Sequence, residues 1–203
     1  MPAPATRRVL RSNASAQEQE TAILAAAADE FFAVGVRRAS VEHIARQAGV
    51  SRSTLYRRFP SKEDILAALG AQITTEFFQY IADAVHGLNP RDTVVEAFVH
   101  TVRVFQRDPK IRRLFLDEPG TLDLIIGLQG GNVEDLVRTS ADAIANTLRK
   151  AGATMPDTDL RVAAEVQFRL LLSMTMVHSQ TLDINDESAI RSFAERILAP
   201  MIF

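Results

Sequence analysis

The chain has no cysteine. That absence removes a disulfide framework, a zinc site with thiolate ligands, an iron–sulfur cluster and a cysteine nucleophile together, and it fits a reducing cytoplasm. Long hydrophobic runs are missing too. The N-terminal MPAPATRRVLRSNASA is basic, lacks the apolar centre of a secretory signal and ends in polar residues, so residues 1–14 read as a flexible basic arm. The most apolar stretch, Val162 to Val177, is interrupted by Glu165, Gln167 and Arg169 and is too short to cross a hydrocarbon layer of about 30 Å facing lipid. The expectation is a cytoplasmic chain with no membrane partner.

Catalytic patterns are equally scarce. There is no His-x-x-x-His ligand pair, no clustered set of carboxylates and no nucleophile beside a base. Glu42-His43 reads as the polar face of a helix, and Asp117-Glu118 as a solvated element before a proline turn. The expectation is no enzymatic activity, no metal and no cofactor.

What is present is enough apolar material, 47% of 203 residues, for a small domain followed by a larger one. The net charge of −2 hides an asymmetry. Residues 1–62 hold ten Lys/Arg against five Asp/Glu, a balance of +5; of the chain's 23 bases and 25 acids, 13 and 20 then remain, a balance of −7. A basic front favours an anionic partner, because association depends on local charge.

Helical periodicity runs nearly throughout, and no stretch alternates like a strand, so the fold class is all-α. Ser15 and Glu18 form a capping box that opens a first helix, with Ile23, Leu24, Ala27, Phe31 and Val34 on one stripe and Gly35 as its stop. Ser40 caps a short second helix, Gly49 supplies a tight turn, and Ser51 caps a third helix to about Arg58. Ser61 and Asp64 restart the chain to about Val85. Further helices are expected near 91–107, 110–117, 121–128, 132–151, 157–180 and 187–199, broken at proline and glycine.

Residues 40–66, SVEHIARQAGVSRSTLYRRFPSKEDIL, have the spacing of a helix-turn-helix, in which one helix braces and the next lies in the major groove. Ile44, Ala45, Val50, Leu55 and Phe59 form an inner face. Ser51, Arg52, Ser53, Thr54, Tyr56 and Arg57 form an outer face without an acid, suited to a phosphate-lined groove.

These residues resemble the TetR family of bacterial regulators. The resemblance rests on a first helix ending in phenylalanine and glycine, then Ile44-Ala45, Ala48-Gly49-Val50-Ser51, Leu55-Tyr56, Phe59 and Ser61-Lys62-Glu63-Asp64, and it covers roughly residues 17–69. The chain departs from many relatives in having Arg57 where an aromatic often follows the tyrosine, and Arg58 where histidine often precedes the phenylalanine. The resemblance implies a DNA-binding domain over 15–62, a helical domain over 63–203 that dimerises and takes a small-molecule effector, and repression of transcription. It implies double-stranded operator DNA as partner, with Ser40, Tyr56 and Lys62 on phosphates, Arg52, Ser53 and Thr54 nearest base edges, and Ser51, Arg57 and Arg58 on the same surface. Arg52 either reads guanine or touches phosphate alone. Tyr56 either faces DNA or packs against the first helix. Arg7, Arg8 and Arg11 either enter a minor groove or form a tail without a role.

In the acidic remainder, the helix near 157–180 is apolar almost all round and has to be covered on two sides. A homodimer interface of Val162, Val166, Leu170, Val177, Ile190, Phe193 and Ile197 is expected, setting the recognition helices about 34–36 Å apart or somewhat more. Phe77, Tyr80, Phe98, Val102, Phe105, Phe115, Leu124, Leu128, Leu172 and Met176 either fill a core or line a cavity for a mainly apolar effector. His100, Arg103 and His178 are candidates to orient a polar group in it. The competing reading is a helical adaptor that binds protein partners only; it leaves the basic face of residues 51–58 unexplained.

Overall fold

A computed structural model describes residues 15–108, 133–177 and 179–203, with the side chains of Thr175 and Met176 left aside. The arm, the helices expected near 110–117 and 121–128, and Phe115, Leu124, Leu128, His178 and the Met176 side chain lie outside what is described. All regular elements among the described residues are helical.

Helix α1 spans Ala16–Val34. Its capping box forms as expected: the Ser15 N–H donates to Glu18 Oε2 at 2.7 Å and the Glu18 N–H to Ser15 Oγ at 3.2 Å. Gly35 ends it at a φ of +83°, its N–H donating to the Phe31 carbonyl. Helix α2 (Val41–Ala48) is capped by Ser40, and helix α3 (Arg52–Arg58) by Ser51. Between them Gly49 adopts the left-handed conformation, φ +70° and ψ +30°, which a residue with a Cβ would adopt only under strain. Phe59 is extended ahead of Pro60, and helix α4 (Lys62–Ala84) follows.

Helix α5 (Pro90–Arg107) starts with proline in its first turn, where no N–H is needed, behind an Asn89 cap. Helices α6 (Val133–Lys150), α7 (Asp157–Met176) and α8 (Glu187–Phe193) complete the set. Two ends differ from the sequence expectation. Helix α7 stops at Met176 and not near 180: Val177 is extended, and the Ser179 hydroxyl accepts from the Thr181 and Leu182 N–H groups, a local turn that competes with another helical turn. The last helix is α-helical only to Phe193. It widens to a π turn over Ala194–Leu198, with the Ala199 N–H reaching back to Ala194, and tightens to a 3₁₀ turn at Ala199–Met201, because Pro200 has no N–H to continue the ladder.

The chain divides into two compact units, Met1–Gln72 and Ile73–Phe203, and α4 crosses the division. In the first, Ile23, Ala27, Phe31, Ile44, Leu55 and Ile65 are at most 1% exposed; each large side chain so buried contributes about 1.5–3 kcal/mol. In the second, α5, α6, α7 and the C-terminal turns enclose a core that includes Val99, Leu148, Leu160, Ala164, Leu198 and Ile202. The Phe203 carbonyl accepts from the Thr154 and Met155 N–H groups, which ties the loop after α6 to residue Phe203. No helix among the described residues is long and apolar enough to cross a membrane.

Candidate nucleic-acid interface

The geometry of α2 and α3 follows from which side chains are withdrawn from water. Ile44, Ala45, Val50, Leu55 and Phe59 are all buried, Ile44 and Leu55 completely. Spaced at helical intervals, they anchor one side of each short helix, and the Val50 N–H donates to the Ala45 carbonyl at 3.0 Å to close the turn. Ser51, Arg52, Ser53, Tyr56 and Arg57 are consequently exposed on one side of α3, with Thr54 half-buried. Ser51 Oγ takes the Thr54 N–H and meets the Ser53 and Thr54 hydroxyls at 2.9 and 2.8 Å, so the cap leaves a cluster of hydroxyls at the start of α3.

Not all of the residues singled out in the sequence face outward freely. Lys62 Nζ donates to the Val36 carbonyl at 2.9 Å and the Arg37 carbonyl at 3.4 Å, and so holds down the link between α1 and α2. The Arg58 guanidinium is half-buried and donates to the side chain of buried Gln19 on α1. Ser40 caps α2 and also donates its hydroxyl to Glu42 at 3.1 Å.

The outer surface does carry an acid, contrary to what residues 51–58 alone imply. Glu42, on α2, pairs with Arg52 at 3.0 Å, and the Arg52 guanidinium lies over the Tyr56 ring, 5.4 Å from its centre. Tyr56 is thus on the outer side with Arg52. The carboxyl of Glu42 is held below the usual glutamate range, first by its own backbone N–H, then by the Ser40 hydroxyl and the Arg52 charge.

Behind this surface lies an acid counted in the charge balance above but given no role. Glu30 is 5% exposed on α1, yet it accepts the Ser40 N–H at 3.1 Å and binds His43 Nδ1 on α2. Gln47 Nε2 sits 3.2 Å from His43 Nε2. The imidazole is thus held at both nitrogens, Nδ1 by the Glu30 carboxylate and Nε2 by the Gln47 amide group. A signal existed, since Glu30 falls seven residues after Ile23 and three after Ala27, on the inward stripe.

The second unit contains a cavity of about 80 Å³. Phe77, Phe78 and Ile81 of α4 line it, with one face each of α5 (Thr93, Val94, Ala97, Phe98, Thr101), α6 (Ile144, Thr147, Leu148) and α7 (Gln167, Phe168, Leu171), and Leu198 closes it. Of the residues expected at an effector site, Phe77 and Phe98 are there. Tyr80 is half exposed and edge-on to His100, Val102 is in the core, Phe105 packs edge-on to Phe77, and Leu172 is half-buried; none of these lines the cavity. The turn of α4 explains Tyr80, because positions 77, 78 and 81 share a face from which 80 diverges. Arg103 pairs instead with Glu187 at 2.8 Å.

On the outside of this unit Val162, Val166, Val177 and Ile197 are 45–70% exposed, whereas Leu170 and Phe193 are half-buried and Ile190 is inside the core. No group of three or more His, Cys, Asp or Glu among the described residues is placed to hold a metal ion.

Short capped helices around an apolar centre, with a polar and basic α3 turned outward, and a second helical unit over Ile73–Phe203 define a helix-turn-helix protein whose regular elements, among the described residues, are all helical. Residues 23–69 match the model of the bacterial regulatory proteins of the tetR family. The nucleoid occlusion factor SlmA of Haemophilus ducreyi is 35% identical over 81 residues, 39% of this chain and 40% of that protein. The chain thus spans about two fifths of the length of that relative. The HTH-type transcriptional regulator UidR of Escherichia coli is 25% identical over 192 residues, 91% of each chain. Among solved structures, the TetR family repressor AlkX of a Dietzia species, implicated in biodegradation of n-alkanes, shares the fold at a TM-score of 0.65 and 22% identity, over 89% of this chain and 93% of that one. Residues 23–69 thus carry the N-terminal domain of the tetR-family bacterial regulatory proteins, and the helical fold as a whole is similar to that of a TetR family repressor.

Proposed function

We infer that the protein regulates transcription in the cytoplasm by binding operator DNA as a homodimer, and that a small, mainly apolar effector releases it. The observation that carries the reading is the outward side of α3: hydroxyls at Ser51 and Ser53, the Arg52–Tyr56 stack and Arg57, on a helix whose other side is pinned by Leu55 and Phe59. Hydroxyls and guanidinium groups on a rigid helix suit phosphates and base edges, and Arg52 in a bidentate contact with guanine discriminates by about 1–3 kcal/mol. The exposed Val162 and Val166 of α7, with Ile197, support self-association through this face, since apolar area gains about 25 cal/mol per Å² when it is removed from water.

Release follows from a shift in population. An effector lowers operator affinity only as far as it prefers the conformation that binds DNA less well. Helix α4 supports that reading, because Phe77 and Phe78 line the cavity and Lys62 begins the same helix.

The test is titration of the purified protein against fragments of its own upstream genomic DNA at two salt concentrations, beside the Arg52→Ala, Tyr56→Ala double variant. Tight, fragment-selective binding that the variant loses is expected. Salt-sensitive binding that is equal on every fragment, or no binding at low salt, overturns the reading in favour of a protein-only adaptor.

A further inference from the structure

The cavity of the second unit has a chemistry that narrows its ligand further than its apolar character does. Thr93 is 2% exposed and its hydroxyl has no hydrogen-bond partner; Gln167 Nε2 is likewise shut away from water without one. Both side chains line the same cavity. Buried polar groups are nearly always paired, and one left alone favours any ligand that supplies the missing bond. Apart from Thr101 and from Thr147, whose hydroxyl donates to the Ala143 carbonyl, the remaining wall is apolar and dominated by four phenylalanines, Phe77, Phe78, Phe98 and Phe168, and among the described residues no ionisable side chain lines it. An ionised ligand would lose its water there with no charge in return.

Resting on the reading of this protein as an effector-controlled regulator, we propose that the cavity takes a compact, uncharged, single-ring molecule carrying a hydroxyl oxygen, with that oxygen bonded by Thr93 Oγ1 and Gln167 Nε2. The oxygen accepts from the Gln167 amide, and its proton goes to the threonine hydroxyl or the threonine proton comes to it, which a rotatable hydroxyl permits. Size links binding to regulation. At about 80 Å³ the cavity is roughly half the volume, about 150 Å³, of an apolar cavity that takes benzene. A ring therefore enters by parting the edge-on Phe77–Phe78 pair, with ring centres 5.7 Å apart, and the tilted Phe78–Phe168 pair at 6.4 Å. Two of those three rings belong to α4, so the ligand selects a displaced α4.

The experiment is calorimetric titration of the full chain, without DNA, using phenol, benzene and benzoate as probes, on the unaltered protein and on Thr93→Val and Gln167→Met. The expected result is phenol about tenfold tighter than benzene, and benzoate weaker than either. Each variant should bring phenol to within about twofold of benzene and leave benzene binding in place, which also shows that the variant is folded. Equal affinity for phenol and benzene, a preference for benzoate, a phenol preference that survives both substitutions, or no binding by any probe overturns the proposal. A parallel titration with upstream DNA separates the two readings: phenol binding that leaves DNA affinity unchanged keeps the site and removes the effector role.

Discussion

The two units use their polar side chains with different emphasis. In the N-terminal unit they reach inward and tie short helices together: Glu30 grips α2 through Ser40 and His43, Lys62 holds the carbonyls of Val36 and Arg37, and Arg58 meets Gln19. Helices of seven and eight residues have too few turns to hold themselves, and a few cross-links to backbone and side chain make up the difference. In the C-terminal unit Arg149 and Arg91 also hold backbone carbonyls, but partly exposed pairs such as Arg103–Glu187, Arg191–Glu96 and Arg161–Asp142 lie outside, and inside Thr93, Ser140 and Gln167 keep polar atoms without partners. Arg58 Nε in the first unit is also without a partner, but only in the second do such atoms, those of Thr93 and Gln167, belong to side chains that line a cavity in which a bound molecule can satisfy them.

Truncations in the two cores give the largest effects by which to break that comparison. Leu55→Ala and Leu148→Ala each remove a fully or nearly fully buried side chain and are expected to cost about 2–5 kcal/mol in denaturant unfolding. Leu55→Ala should abolish operator binding as well. Leu148→Ala enlarges the cavity and should raise affinity for benzene, so an unchanged affinity would mean that Leu148 does not bound the ligand space.

Next in size is the contrast between clamps and surface pairs. Glu30→Ala takes the carboxylate away from the half-buried Ser40 N–H and His43 Nδ1, with an expected loss of about 1–3 kcal/mol. Arg103→Ala breaks a pair in which Glu187 is 49% exposed, and should cost under about 1 kcal/mol. Equal losses from the two would remove the distinction drawn between the units.

Glu42→Gln sharpens it on the DNA side. The substitution takes an acid away from the proposed interface and frees Arg52, so DNA affinity should rise by about two- to fivefold at low salt, and by less as salt screens the difference. A fall in affinity would mean that Glu42 holds Arg52 in its binding position.

The smallest expected effect is with pH. Glu42, Glu96 and Glu187 are all held below the ordinary glutamate value of 4.5, Glu42 chiefly by its own backbone N–H, Glu96 by Arg191 and Glu187 by Arg103. A carboxyl whose folded value is depressed adds stability above its unfolded value and loses it as pH falls through the folded one. Thermal stability should therefore decline as pH drops below about 4.5, and Glu96→Gln should flatten the decline. No change in slope would mean that the Arg191 pair adds nothing to stability.

The helix-turn-helix was legible because its signals are local. Ser15, Ser40 and Ser51 each cap the helix that follows within three residues, Gly35 and Gly49 take the backbone angles that end a helix, and the apolar stripe of Ile44, Ala45 and Leu55 repeats at helical spacing. Its cross-links were not legible, because they join residues far apart: Glu30 to His43, Arg58 to Gln19, Lys62 to Val36. The α7 end and the π turn ahead of Pro200 escaped for a smaller reason, a local competition between hydrogen-bond patterns that apolar periodicity does not register.

The interior of the C-terminal unit divides the same way. Sequence periodicity alone established that α5, α6 and α7 are helices and which of their faces are apolar, since a helix repeats every 3.6 residues whatever it packs against. Which of those apolar residues meet around a cavity, and which polar atoms they enclose, depends on how four helices cross. Phe98 faces the cavity and Val102, one turn on, does not; Thr93 and Gln167, unremarkable as letters, share its wall. Only the tertiary structure decides that, because burial and the loss of hydrogen-bond partners are properties of packed neighbours and not of any one helix.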